Sequence, residues 1–203
     1  MSNQLEIDKQ LRKLGPMAPM GYSIGLHIRF SAPLIMFQGY DQSWLDHYTE
    51  NGFVLRDPMV AWGFSTTGWI RWSDKRVPDP FGILDEAERF GLRYGVTISC
   101  GPIKSRTIAS FARADREYTD DEAGLIEPIV NQLHGLTEPP EELTKAQVEA
   151  LRCIAGGLRH AAAANKLGIS ESALKARLAS ARDRLMARTT AEAIQRAKDS
   201  RLI

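Results

Sequence analysis

"LTKAQVEALRCIAGGLRHAAAANKLGISESALKARLASARDRL", residues 143–185, reads as three helices parted by glycine-containing turns. Thr144 stands where a helix N-cap belongs, and Gln147 three residues later completes a capping box. Val148, Leu151, Ile154 and Ala155 form the apolar stripe of this first helix, and Gly156-Gly157 closes it. "LRHAAAANKLG" (158–168) is a short second helix whose alanines let a neighbour come close, with Gly168 supplying the tight turn. Ser170 then caps "ESALKARLASARDRLM" (171–186), which carries Leu174, Leu178, Ala181 and Leu185 on one face, and "TAEAIQRAKDSRLI" (190–203) gives a fourth helix. A short helix, a glycine turn and a longer helix bearing Lys175, Arg177, Arg182 and Arg184 is a helix-turn-helix arrangement. Its second helix suits a major groove, with residues near its N-terminus reaching bases and other cations neutralising phosphates. Periodicity alone equally allows a four-helix scaffold that docks on a partner protein.

Outward from this stretch, the charge divides with the chain. Residues 143–203 hold 12 Lys/Arg against 5 Asp/Glu, whereas residues 1–142 hold 14 against 20, a division hidden by the formal net charge of +1. An acidic body joined to a basic module points to a polyanion as partner for the latter alone. "HGLTEPPEELT" (134–144) separates the two, because Pro139-Pro140 stops a helix arriving from residues 120–134 and Glu141-Glu142 keeps the segment in water. The expected domains are 1–135 and 143–203, with 136–142 as linker. The first twenty residues carry both signs of charge and no long apolar run, and no stretch approaches the ~18 apolar residues of a membrane helix. A cytoplasmic protein with no membrane contact is expected. Cys100 and Cys153 match no metal or redox spacing, and neither do His27, His47, His134 and His160, so no metal is expected.

Before the linker the pattern is mixed. Residues 5–14 read as an amphipathic helix ended by Gly15-Pro16, and "YSIGLHIRF" (22–30) and "APLIMFQGY" (32–40) read as two strands around a turn. Helices are expected at 41–50, 57–64 and 83–92, paired strands at 96–100 and 107–113, and a helix from Asp120 to Leu133 with an acid-rich first turn. The expected class is α+β: an N-terminal α/β/α sandwich around a central antiparallel sheet, followed by a small four-helix helix-turn-helix domain. Within it, Tyr40, Trp44 and Tyr48 recur four residues apart, so one helical face presents three aromatics. Asp57 follows with Pro58 in the first turn of a helix, and Trp62, Trp69 and Trp72 continue the aromatic supply. A core would explain the rings, but two phenols and an indole N–H each need a partner when buried, and a carboxylate among rings needs several donors. Asp57 is also explained as a plain helix cap.

Two resemblances bear on these alternatives. The 143–185 stretch resembles the DNA-binding domain of LuxR-type transcription factors through Leu143-Thr144, Glu149, Leu151, Ala155, Gly157, Leu167-Gly168-Ile169-Ser170, Leu174-Lys175 and Leu185. Ala146-Gln147 stands where that family usually has Arg-Glu, and Arg177 where histidine is frequent. Tyr40…Trp44…Tyr48…Asp57-Pro58…Trp72 is similar to the ligand-binding signature of LuxR-type autoinducer-binding domains, and "AERFGLRYGVTISC" (87–100) resembles the helix and strand that follow, with Gly95 at the matching glycine. The resemblance implies a quorum-sensing regulator with no cofactor beyond a small-molecule effector, an N-acyl homoserine lactone. It implies that the Trp44 indole N–H bonds the lactone carbonyl, that Asp57 accepts the amide N–H, and that Tyr40 and Ser110 bond the acyl carbonyl. Tyr48 and Trp72 would enclose the ligand, with Trp62 nearby, and Met59 and Val77 stand near pocket-shaping positions. It further implies a homodimer on duplex DNA, with Ser172, Lys175, Ala176 and Arg177 toward the groove and Arg182 on the backbone. RNA polymerase or a related regulator would be a further partner.

Two rival classes remain open to the sequence. Cys100 near a strand end, with His27 or His47 close in space, would make a thiol enzyme. A regulator of the same fold that answers to another ligand, or to none, would act by pairing with a related protein.

Overall fold

The computed structural model describes residues 2–28, 32–138 and 143–203, which form two compact units, Met1–Thr137 and Glu138–Ile203. The prolines expected to break the chain, Pro139 and Pro140, and the end of the first expected strand lie outside the described residues.

The first unit is built on a five-stranded antiparallel sheet: β1 (Tyr22–Ile28), β2 (Ile35–Gln38), β3 (Gly68–Arg71), β4 (Tyr94–Cys100) and β5 (Arg106–Arg113), in the order β2-β1-β5-β4-β3. Strand alternation divides its side chains between two faces. Ile24 and Leu26 of β1, Val96 and Ile98 of β4, and Ala109 and Phe111 of β5 pack with Ile7 and Leu14 of α1 (Ser2–Leu14) and with Ala123, Ile126, Val130 and Leu133 of α5 (Asp120–Leu136). The opposite face carries Ser23, Gly25, Gly95, Thr97, Ser99, Ile108 and Ser110. It meets α2 (Gln42–Glu50), α3 (Pro58–Ser65) and α4 (Ile83–Arg89). The sandwich of helices around an antiparallel sheet is thus as expected. β3 adds a strand that alternation does not announce. Its four residues, Gly-Trp-Ile-Arg, are too short to show a period of two, and it declares itself by pairing Trp69 with Ile98 and Ile70 with Thr97.

One irregularity shapes β1. The register on β5 shifts between Gly25 and Ile28, where His27 takes φ +52°. That bulge carries the wholly buried His27 ring beneath the end of α5. There Nε2 lies 3.0 Å from Thr137 Oγ1 and 3.1 Å from the His134 carbonyl, and Nδ1 lies 2.9 Å from Ser105 Oγ. The ring stacks at 4.3 Å on His134, whose Nδ1 lies 2.8 Å from Thr107 Oγ1.

The start of α5 is held by charge. Thr119 and Glu122 form a capping box, and the Glu122 carboxylate also accepts hydrogen bonds from Arg113 (2.9 Å) and Arg116 (2.8 Å). The Arg116 hydrogen bonds are the chief reason its pKa is pulled down to about 2. A depressed folded-state pKa adds stability that is complete above the ordinary glutamate value of 4.5 and lost as pH falls toward 2. Acid titration of melting temperature should therefore show wild type falling toward E122Q across that window, and equal slopes in the two proteins would refute the linkage.

The second unit comprises α6 (Lys145–Ala155), α7 (His160–Lys166), α8 (Glu171–Arg184) and α9 (Thr190–Asp199). The Thr144/Gln147 capping box forms as expected. The same Gln147 side chain also donates from Nε2 to Ser180 Oγ at 2.9 Å, tying α6 to α8. Gly157 (φ +84°) and Gly168 (φ +65°) make the left-handed turns that other residues adopt at a cost. Leu151, Leu174, Leu178, Ala181, Leu185, Ala193 and Ala197 close a core of their own, each buried leucine worth roughly 2–3 kcal/mol in transfer from water.

Candidate functional site

Between the second face of the sheet and α2, α3 and α4 lies a cavity of about 340 Å³, within the range of small-molecule sites. Asp41 caps α2 by accepting the Ser43 N–H, which fixes the phase that sends Trp44, Leu45 and Tyr48 inward. Asp57 caps α3, with Oδ1 accepting the N–H groups of Met59 (2.7 Å) and Val60 (3.3 Å). Its Oδ2 accepts the Tyr48 hydroxyl proton at 2.8 Å while the carboxylate borders the cavity. The helix-cap reading of Asp57 and the cavity reading are therefore both realised by one side chain.

Trp72 follows β3. Its backbone N–H donates to Gly95 O at 2.9 Å, and its indole lies on Gly95, where a Cβ would sit 2.1 Å from the ring. The indole N–H donates to Thr97 Oγ1 at 3.0 Å, and Thr97 Oγ1 lies 2.8 Å from Ser110 Oγ. Tyr40 donates its hydroxyl proton to Ser110 O at 3.0 Å. Trp44 is nearly buried, edge-on to Tyr48 at 5.6 Å and 5.4 Å from Phe90, and its indole N–H has no acceptor among the described residues. Burial raises the pKa of Asp57, outweighing the hydrogen bonds from Tyr48, Met59 and Val60 that lower it. Burial likewise pushes the Tyr40 and Tyr48 phenols far above the ordinary tyrosine value, so both remain protonated.

Of the seven residues expected to touch a ligand, Tyr40, Trp44, Tyr48, Asp57, Trp72 and Ser110 line this cavity together. Trp62 does not. On α3, Met59, Val60 and Phe64 face the cavity and Gly63 rests on Ile108. The two-residue step from Val60 to Trp62 rotates the tryptophan roughly 200° away from that side. Val77 is also outside the lining, while Met59 is in it. The apolar wall of Met36, Val54, Leu55, Phe64, Ile83 and Ile108 escapes sequence reasoning, because in a sequence such residues are indistinguishable from core. Met36, Val54 and Leu55 are 44%, 50% and 86% exposed and mark its mouth.

In the second unit, Ser172, Lys175 and Ala176 are exposed on α8, and Lys175, Ala176 and Arg182 border a shallow depression with His160 and Thr190. Arg182 is half-buried, and its Nε has no hydrogen-bond partner among the described residues. Arg177 is half-buried and lies roughly 100° around the helix from Ala176, off the face shared by the other four.

Among the described residues no group of three His, Cys, Asp or Glu is arranged for a metal, and no helix is long and apolar enough to cross a membrane. Burial pushes the Cys100 thiol up to about 11, the reverse of an activated nucleophile, and His27 is held by Ser105 and Thr137.

A model of the autoinducer binding domain family matches residues 19–135. The transcriptional activator protein VanR of Vibrio anguillarum is 28% identical over 179 residues, covering 80% of this chain and 75% of its own. The quorum-sensing regulator RhlR of Pseudomonas aeruginosa is 26% identical over 181 residues, covering 82% and 75%. Among solved structures, Escherichia coli SdiA shares the fold at a TM-score of 0.55 and 22% identity, over 97% of this chain and 92% of that one. SdiA in complex with octanoyl-rac-glycerol gives 0.54 and 21%, over 96% and 88%. The chain therefore belongs to the LuxR family: it is a quorum-sensing transcriptional regulator, not an enzyme, made of an autoinducer-binding domain and a helix-turn-helix.

Proposed function

We propose that the cavity holds an N-acyl homoserine lactone and that the ligand governs DNA binding by a dimer of this chain. One observation carries the reading: a capping carboxylate and an indole with no acceptor among the described residues border the same, otherwise largely apolar, cavity. A fatty amide of a lactone presents one N–H and two carbonyls, groups that an all-apolar pocket would leave unpaired. Asp57 accepts the amide N–H, Trp44 donates to the lactone carbonyl, and Ser110, with Tyr40 beside it, meets the acyl carbonyl. Tyr48 and Trp72 enclose the ring, and the chain runs along the apolar wall toward Met36 and Leu55. Binding to the folded state alone stabilises it by about 2.7 kcal/mol at a hundredfold excess over Kd. Two helix-turn-helix units would then address half-sites one helical turn apart, with Ser172, Lys175 and Ala176 toward the groove, Arg182 toward phosphate, and Arg177, off that face, reaching the groove only from its side. The domains proposed to act are 1–135 and 143–203, joined by 136–142.

A second reading has its own support. SdiA accommodates octanoyl-rac-glycerol, so the fold admits a fatty ligand that offers hydroxyls in place of an amide. On that reading the protein answers to a different effector, or pairs with a related regulator. Expression with mixed acyl homoserine lactones, followed by extraction and mass spectrometry, separates the two. A lactone should be recovered, and salt-sensitive duplex DNA binding should change with ligand. A folded protein that carries a glyceride, or nothing, and ignores every lactone would remove the first reading.

A further inference from the structure

We infer that Thr97 is a positioning residue that sets Ser110 as a hydrogen-bond donor, so that the cavity selects a carbonyl at that point. The inference rests on the lactone reading above and follows from counting protons. Thr97 is fully buried on β4 and makes two polar side-chain contacts among the described residues, to Trp72 Nε1 and to Ser110 Oγ. An indole nitrogen only donates, so Thr97 Oγ1 is the acceptor of that 3.0 Å bond. The Thr97 hydroxyl proton then has Ser110 Oγ as its acceptor at 2.8 Å, and leaving it unbonded in a dry interior is costly.

Ser110 Oγ thus accepts from Thr97, and its own proton turns toward the cavity that Ser110 lines. A chain of aligned hydrogen bonds, indole to threonine to serine, strengthens the terminal donor. The phenols behave in the opposite way. Tyr40 gives its proton to Ser110 O and Tyr48 gives its proton to Asp57 Oδ2, so both have only lone pairs left to offer. Around Asp57 the cavity therefore offers the protons of Trp44 and Ser110 against the oxygens of Asp57, Tyr40 and Tyr48, with the Ser23 hydroxyl and the Gln38 amide as further polar groups of the lining. This pattern fits two carbonyls and one N–H, and it leaves the acyl-carbonyl bond to Ser110 without Tyr40.

The test compares N-decanoyl homoserine lactone with its thioamide, which keeps shape and N–H but replaces the carbonyl oxygen by a poorer acceptor. Wild type should prefer the amide by about five- to tenfold, the worth of one neutral hydrogen bond. S110A should bring that ratio near one, T97V should do the same, the double variant should go no further than S110A, and T97S should restore the preference. T97C, which keeps the volume with a weak donor, takes the place of T97V should the latter not fold. A T97V protein that binds both ligands more weakly but keeps the wild-type ratio would make Thr97 structural and overturn the relay. Binding of neither compound by wild type would instead overturn the lactone reading, and the relay with it.

Discussion

Gly95→Ala should remove the ligand response and lower the melting temperature of the first unit by several degrees. The difficulty is space and not backbone conformation. A Cβ on Gly95 would lie 2.1, 2.2 and 2.6 Å from three atoms of the Trp72 ring, distances that require the ring to leave. It cannot simply back away, because the Trp72 N–H is bonded to Gly95 O across the neighbouring strand. The indole must swing into the cavity or break its bond to Thr97. Overpacking of this kind costs typically 1–3 kcal/mol, and a lost hydrogen bond adds about 1. For a chain of this size that amounts to a fall of roughly 5–15 °C by calorimetry. G95A/W72L should recover much of the stability without recovering ligand binding. A G95A protein that melts with wild type and binds as well would show that the ring does not rest on the strand.

Asp57→Asn should separate stability from recognition. The amide oxygen of the D57N side chain still caps α3 through the Met59 and Val60 N–H groups, so the helix start survives. Burial raises the Asp57 pKa, which means that the ionised carboxylate is disfavoured in the fold relative to the unfolded chain. Above its folded-state pKa this acid therefore subtracts stability, and the neutral amide relieves that cost. Unliganded D57N should melt at or above wild type. Its NH₂ group, however, now confronts both the Tyr48 hydroxyl and the ligand amide. Loss of a charged acceptor, with a donor put in its place, should weaken lactone binding by about 2 kcal/mol or more, some thirtyfold. D57A serves as the contrast, since it loses the cap and leaves Tyr48 unpaired, and it should melt lower than both. Ligand-dependent stabilisation of D57N equal to wild type would exclude Asp57 from recognition.

What could be seen in advance followed from periodicity. The second unit is the clearest case: α6, α8 and α9 each begin at a Thr or Ser whose side chain caps the helix, and Thr144 with Gln147 form the expected box. β4 is recognisable because Val96-Thr97-Ile98-Ser99 alternate, and β5 less so, since only Ala109-Ser110-Phe111 alternate and Ile108 is apolar on the cavity face; the hydroxyls of Thr97 and Ser110 stand on the face away from the core. Helical spacing likewise brings Trp44 and Tyr48 to one cavity, whereas Tyr40, expected on the same helical face, precedes the Asp41 cap and reaches the cavity from outside α2. The same spacing applied to α3 rejects Trp62, since Val60 and Phe64 are four apart and Trp62 falls midway. The bulge at His27 leaves no trace, because a histidine with positive φ is imposed by its tertiary partners. The cavity mouth, where Val54 and Leu55 stay exposed, depends on which apolar residues are left uncovered, and composition does not encode that.

The strand order has a consequence for how the molecule is made. β1 finds its second neighbour in β5, Ser23 against Ser110, so the centre of the sheet waits until more than half the chain has been synthesised. Closing a loop of that length carries an entropy cost on the order of 4 kcal/mol before any pairing compensates it. Folding of the first unit is therefore expected to be slow beside that of the second, whose helix contacts, even between α6 and α9, close shorter stretches of chain. During that delay β1 offers an unpaired edge, and the floor that Ser23, Gly25 and Ser110 share does not yet exist. A ligand recognised by that floor would act on the nascent chain as much as on the finished protein, by capturing the closed sheet each time it forms.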